Sequence, residues 1–353
     1  MHVGYGSIFQ SSADRSDLEV YRDELRLADL AEPLGFESIW GVEHHFTDYT
    51  MCPDVLQFLT YMAGRTTTVQ LGSMVVVLPW HDPVRVAEQV SMLDNLSGGR
   101  MIFGMGRGLG QVEFEGFRVP MDESRQRFVE YAELILAGLE QGYVKYEGQH
   151  ISQPRRDIRP APFKSFKGRT YAAAVSPESS KIMAELGVGI LIIPQKPWDS
   201  MMAELDTYRG IFREVNDAEA PPTITAGWVF CDEDGDRAKE MAKRYIGGYY
   251  ETVMEHYQLS GSHFAATKGY EYYGKMSQAI NKYGEQSGID FFVDLQVYGT
   301  PDECFEKIMN VRSMVGAESF VSVCSYADMP ADEAERNLRL FASKVKPRLQ
   351  ATT

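Results

Sequence analysis

Short runs of β-branched and apolar residues alternate with longer amphipathic stretches along nearly the whole chain, and this alternation predicts a strand–helix repeat. The first strand covers residues 2–8 and leads into a helix over 16–34, stopped by Gly35. Strand 36–42 runs into Glu43, His44 and His45, and a helix over 54–65 follows. Strand 69–78 is ended by Pro79; Asp82 as N-cap and Pro83 then open the next helix. Strand 100–104 gives way to the glycine-rich run 104–110, then to a helix over 124–139. Residues 146–168 read as irregular and proline-bearing. Three further units combine strand 170–174 with helix 177–186, strand 188–193 with helix 200–215, and strand 223–230 with helix 234–256. A final helix–strand–helix runs from Pro301 through residues 320–324 to Leu349.

Residues 258–299 break the rhythm, being rich in Gly, Ser, Tyr and Lys. A long irregular insertion of this kind is expected to be an active-site lid (residues 258–294) or a disordered loop. Repeated strand–helix order implies a parallel sheet, and eight units imply closure into an α/β (β/α)8 TIM barrel with insertions. Residues 1–353 are therefore read as one barrel domain, with an open doubly wound sheet as the alternative on pattern alone.

Composition narrows the partners. Of 353 residues 44% are hydrophobic, enough for a large core, and 35 basic against 50 acidic residues leave a formal net charge of −15. Such a surface repels phosphate backbones and anionic lipid heads, so neither nucleic acid nor membrane is expected as a partner. No charged-then-apolar leader and no apolar run long enough to cross a bilayer is seen, which points to a cytoplasmic protein. Cys52, Cys231, Cys304 and Cys324 form no CxxC pair and read as buried free thiols.

In an α/β barrel, chemistry gathers at the C-terminal ends of the strands. There the sequence places Phe9; Glu43, His44 and His45; Trp80, His81 and Asp82; Arg107; Ser176; Gln195; and Cys324. The run 104–110 fails the dinucleotide fingerprint, because Leu109 or Gln111 stands where the third glycine belongs. It reads instead as a flexible loop, with Gly106 and Gly108, that brings backbone amides and Arg107 to one anion. Ser176, Ser179 and Ser180 sit at the start of the helix that follows, where free N–H groups favour phosphate; capping alone would also account for Ser176. His44 and His45 alternate on extended backbone and cannot both ligate one ion, so a metal hydrolase falls behind and no metal is expected. The lid region also carries Phe264, Tyr270, Tyr272, Tyr273, Tyr283, Phe291 and Phe292, which fit either a pocket wall or plain packing.

Glu43-His44-His45-Phe46-Thr47, Val77-Leu78-Pro79 with residues 82–85, Leu93-Asp94, Ser97-Gly98-Gly99-Arg100 and Phe103-Gly104 with Arg107-Gly108 together resemble the bacterial luciferase-like flavin-dependent monooxygenases. The likeness continues more faintly through Ser176, residues 299–301 and the last helix. It implies reduced FMN supplied by a separate flavin reductase, and reaction with O2 through a flavin hydroperoxide to oxygenate a small, hydrophobic organic substrate. It also implies phosphate held by Arg107 and residues 176–180, His44 as the catalytic acid–base, a mobile lid over 258–294, and a homodimer with His45 and Glu88 near its interface. The chain departs from the luciferase pattern at Gly106, where a reactive cysteine would stand, at Val175, where an acidic residue would, and at His81-Asp82, where the histidine is displaced by one position. These departures count against light emission and a long-chain aldehyde substrate. The alternatives are a deazaflavin-dependent oxidoreductase of the same fold and a non-catalytic flavin-binding protein.

Overall fold

The computed structural model describes residues 1–10, 14–173 and 177–352, leaving the side chain of Pro177 aside. Eight parallel strands close into a barrel: β1 His2–Ser7, β2 Ser38–Gly41, β3 Gln70–Ser73, β4 Met101–Gly106, β5 Thr170–Ala173, β6 Gly189–Ile192, β7 Thr223–Cys231 and β8 Ala317–Val323. Each pairs with the next in chain order, β6 pairs with β7 at Leu191 and Ile224, and β8 closes on β1 at Ser319 and His2. The barrel predicted from the strand–helix rhythm is therefore the observed one.

The strands fold as they do because both of their faces are covered. Trp40, Met74, Ile102, Tyr171, Leu191, Ile224, Ala226 and Val321 fill the barrel interior, while a larger apolar layer packs between the barrel and its helices. Trp40 lies across the interior only because β3 carries Gly72: a Cβ there would stand 2.2 Å from the indole. At the opposite end from the site, Arg100 donates to the carbonyls of Ala63, Thr66, Val69 and Ser97. Arg169 grips buried Asp94 through both carboxylate oxygens at 2.6 and 2.8 Å. Helix boundaries follow their caps: Ser16 forms a capping box with Glu19, Asp82 accepts from Val84 and Arg85, and Thr300 pairs with Glu303.

Three stretches differ from the sequence reading. β4 extends through Gly106, so Gly104 and Gly106 are buried strand residues rather than a flexible loop, and Gly110 opens an unforeseen helix, Gln111–Phe117. Residues in the stretch read as irregular form an antiparallel hairpin, Tyr143–Glu147 with Ser152–Asp157. The insertion after helix Gly235–Tyr257 is ordered into helices His263–Ala266, Glu271–Tyr283 and Glu285–Asp294, and strand Val297–Gly299 then adds to β7 outside the barrel. All four cysteines are buried and free. Among the described residues no helix is long and apolar enough to cross a membrane.

Candidate active site

At the C-terminal ends of the strands two cavities meet. The outer one is a cleft with about 1700 Å³ of empty space, lined by Gly106, Arg107, Gly108, Arg125 and Ser179 among others. The inner one, about 890 Å³, descends into the mouth of the barrel between Trp40, Trp228, Tyr249 and Phe292. His44, Met74, Leu109, Ile193, Gln195, Tyr257 and Tyr273 line both, so they mark the junction.

The outer end of the cleft gathers two cations. Arg107 leaves the end of β4 and Arg125 begins the helix Ser124–Gln141, and the two converge on the carbonyl oxygen of Gly269, at 2.8 and 3.2 Å. Arg107 also lies 4.0 Å from the centre of the Tyr270 ring and makes no ion pair with a described carboxylate. Arg125 also lies 3.9 Å from Glu178, whereas Arg107 has only the neutral acceptor and keeps donor capacity that suits the oxygens of a phosphate. Ser179 lies in the first turn of helix Pro177–Glu185, on the wall of the same cleft. Ser180 does not reach it and lines a separate small cavity with Ile190 and Leu205. Ser176 lies outside the described residues. Gly106 and Gly108 serve packing: a Cβ on Gly106 would stand 2.4 Å from Val75, and one on Gly108 2.9 Å from both Trp80 and Val77. The sequence reading missed Arg125. Its signal was a pair of arginines, Arg125 and Arg127, in the first turn of a helix, where the macrodipole disfavours cations unless an anion joins them.

Beyond β2 the two histidines of the Glu43-His44-His45 triplet take different partners. His45 turns to Glu43 (3.2 Å) and packs on Phe117 and Trp80, and His81 bonds the same Glu43 oxygen at 2.7 Å. Burial works against the Glu43 charge, yet the bonds from His45 and His81 hold its carboxyl below the ordinary range. The other imidazole, His44, faces the junction. Its Nδ1 is 3.1 Å from Glu113 Oε1 and its Nε2 is 3.3 Å from the Tyr257 hydroxyl. Glu113 is fully buried and also accepts from the His45 backbone N–H at 2.9 Å. Burial opposes its ionisation, but the facing His44 and His256 overcome this and bring its carboxyl down to about 2. His256, pushed down chiefly by burial, bonds Thr47 at 2.7 Å. Ligand atoms of His44, Glu113 and His256 lie within 4.8 Å of one another, which is compact enough for a cation. Glu113 Oε1 is engaged by the His45 amide and the His44 ring, while Glu113 Oε2 and His256 Nε2 are buried without a hydrogen-bond partner among the described residues. Glu113 is a residue that sequence reasoning missed, because it sits on the short helix hidden behind the glycine run.

The remaining strand-end residues separate by role. Gln195 lies at the junction, Trp80 walls the cleft, and Asp82 caps a helix. Phe9 and Cys324 are core residues. Of the aromatics in the insertion, Tyr272 and Tyr273 face the cleft, and Tyr273 and Phe292 face the inner pocket. Phe264 and Tyr270 are packed inside, and Tyr283 and Phe291 are exposed.

A closed parallel barrel with a wide cleft, two arginines at its outer end and a histidine at the mouth of an apolar pocket has the layout of a barrel enzyme. The chain belongs to the luciferase-like monooxygenase family, whose model matches residues 1–318. It is similar to the alkanal monooxygenase alpha chain of Photorhabdus luminescens, with 26% identity over 340 residues covering 95% of this chain and 94% of that one. Among solved structures it is similar to monooxygenase RslO1 from Streptomyces bottropensis (TM-score 0.80, 25% identity, 99% of both chains). The fold is shared with the oxygenating constituent of 3,6-diketocamphane monooxygenase from Pseudomonas putida, a type II Baeyer–Villiger monooxygenase in complex with FMN (TM-score 0.76, 18% identity, 99% of both chains). It is shared also with the coenzyme F420-dependent tetrahydromethanopterin reductase from Methanopyrus kandleri (TM-score 0.67, 20% identity, 99% of this chain and 100% of that one).

Proposed function

We propose that this chain is the oxygenase component of a two-component system that takes reduced FMN from a separate flavin reductase and uses O2 to oxygenate a small, hydrophobic organic molecule. The observation that carries the reading is the convergence of Arg107 and Arg125 at one end of a cleft whose other end opens, past His44, into an apolar pocket. Arg107, Arg125 and Ser179 would hold the phosphate, and Met74, Val75 and Val77 would wall the flavin ring. Bound there, reduced FMN supplies the electrons that activate O2.

The chain's own groups do the rest. Glu113 takes the Nδ1 proton of His44 in a hydrogen bond, which leaves Nε2 to accept or deliver a proton at the junction beside the Tyr257 hydroxyl. Gly269, held by both arginines, and Tyr270, whose hydroxyl donates to Gly108 O at 2.9 Å, support reading the insertion as a lid that would keep water from the cleft. A homodimer accords with Met92 and Leu96 on helix Pro83–Leu96, which are 51% and 58% exposed one and two turns beyond half-buried Glu88.

The test is to mix the protein anaerobically with reduced FMN, expose it to O2 and record the flavin absorbance. Reoxidation much slower than that of free reduced FMN is expected. Reoxidation at the free rate would overturn the proposal, and the same measurement with reduced deazaflavin and an oxidised acceptor then tests the F420 reading that the shared fold raises.

A further inference from the structure

The two cavities differ in chemistry. Every formally charged side chain at the site lines the outer cleft; the inner pocket is lined by no Asp, Glu, Lys or Arg among the described residues. Burying an ionised group there would leave it without a counter-charge, which is costly in a low-dielectric cavity. The inner walls are largely rings. Trp228 packs against Tyr249 in a tilted pair with centroids 4.5 Å apart, and Phe292 lies nearly parallel to Tyr250 at 4.5 Å. Flat rings on several sides favour a flat guest, since offset and edge contacts between aromatic faces add to plain area burial.

Polar handles are few and point to an oxygen. The indole N–H of Trp40 donates to Ser38 at 2.8 Å, so that tryptophan is satisfied. The indole N–H of Trp228 is buried, with the residue only 5% exposed, and finds no acceptor among the described residues. Gln195, half-buried, also lines the pocket at its junction with the outer cleft. A buried donor without a partner is rare in a folded protein and marks a place where a ligand supplies the acceptor.

From these features we infer that the inner pocket takes a neutral, flat aromatic molecule bearing an oxygen acceptor, such as a phenol or an aryl ketone, with its oxygen on Trp228 Nε1. This rests on the oxygenase reading for its meaning as substrate. The inference names what that site oxygenates: a ring system lying against the aromatic wall formed by Trp228, Tyr249 and Tyr250, with one edge at the His44 junction.

The test uses flavin-free, full-length protein and isothermal titration with four probes: 2-naphthol, naphthalene, 2-naphthoate and decanal. 2-Naphthol is expected to bind tightest. Naphthalene, which lacks the oxygen, should bind about three- to tenfold more weakly, and 2-naphthoate and decanal at least tenfold more weakly. Trp228→Phe removes ring contact for both probes, so both should weaken, but 2-naphthol by more, until its advantage over naphthalene is lost. Decanal or 2-naphthoate binding as tightly as 2-naphthol would overturn the inference, as would an equal loss for both naphthalene-ring probes in the variant. The wild-type series decides the ring and charge preference even if Trp228→Phe does not fold. Since no flavin is present, failure of the reduced-FMN test and failure of this one are separate results.

Discussion

Replacing Arg107 by alanine removes one of two guanidiniums aimed at the anion end of the cleft, and the geometry sets the size of the effect. Arg107 gives one bond to the neutral Gly269 carbonyl and has no carboxylate partner among the described residues, so most of its five donors stay available to a phosphate. A hydrogen bond to a charged group contributes about 1.5–3 kcal/mol. Arg125 reaches the same carbonyl at 3.2 Å and would remain to hold the phosphate alone. The expected loss is therefore roughly 10- to 150-fold in FMN affinity. Flavin fluorescence titration measures it, with riboflavin run in parallel because it lacks the phosphate. Arg107→Ala should leave riboflavin binding unchanged within about twofold, and Arg107→Lys should fall between, since a point charge cannot reproduce the planar fork. Equal losses for FMN and riboflavin would mean that Arg107 shapes the cleft rather than binding phosphate. An FMN loss below about threefold would place the phosphate elsewhere.

Glu113→Gln keeps the shape beside His44 but removes the negative charge; oxygenation should slow about ten- to a hundredfold, from the loss of a charged hydrogen bond, while FMN affinity stays constant, and a matching fall in affinity would contradict a positioning role. Gly108→Ala places a Cβ at φ +85° and 2.9 Å from Trp80 and Val77, so urea unfolding should show a loss of about 1–3 kcal/mol; a neutral result would mean that the loop yields. Glu24 is buried with one carboxylate oxygen unpartnered, and burial, against bonds from Ser325 and the Phe9 backbone, raises its carboxyl to about 7. Its folded value lies above the unfolded one, so stability falls as pH rises from about 4.5 through 7. Glu24→Gln should then stabilise by roughly 2–3 kcal/mol at pH 8 and little at pH 4.5; equal shifts at both pH values would refute the assignment.

What could be read from the sequence was whatever local pattern determines. Strand and helix periodicity located all eight barrel strands, and the cap read at Asp82 marks a true helix start. The positions that carried the family likeness divide in two once folded. Asp94 and Arg100 tie down strand and helix ends far from the cleft, whereas His44 and Arg107 line it. A motif thus reported the family without saying which of its residues touch chemistry.

The errors share one cause. The glycines at 104 and 106 suggest a flexible loop when local freedom is counted, but they are strand residues because neighbouring backbone or side chain occupies the space a Cβ would need: Ser73 O lies 1.9 Å from it at Gly104, and Val75 Cγ2 2.4 Å at Gly106. Close approach between strands distant in sequence leaves no periodic trace. The same holds for Glu113 with His44, 69 residues apart, and for Arg107 with Gly269, 162 apart. The insertion 258–294 was unreadable for a related reason: its helices are organised by tertiary contacts, Tyr270 beneath Arg107 and Phe292 against Tyr250, which override its weak local signal. The residues that would make this barrel an oxygenase are thus mostly those placed by long-range contact. A reading from sequence finds the strand ends where chemistry must sit, and only the folded chain reveals that two of them share a carbonyl and two share a carboxylate.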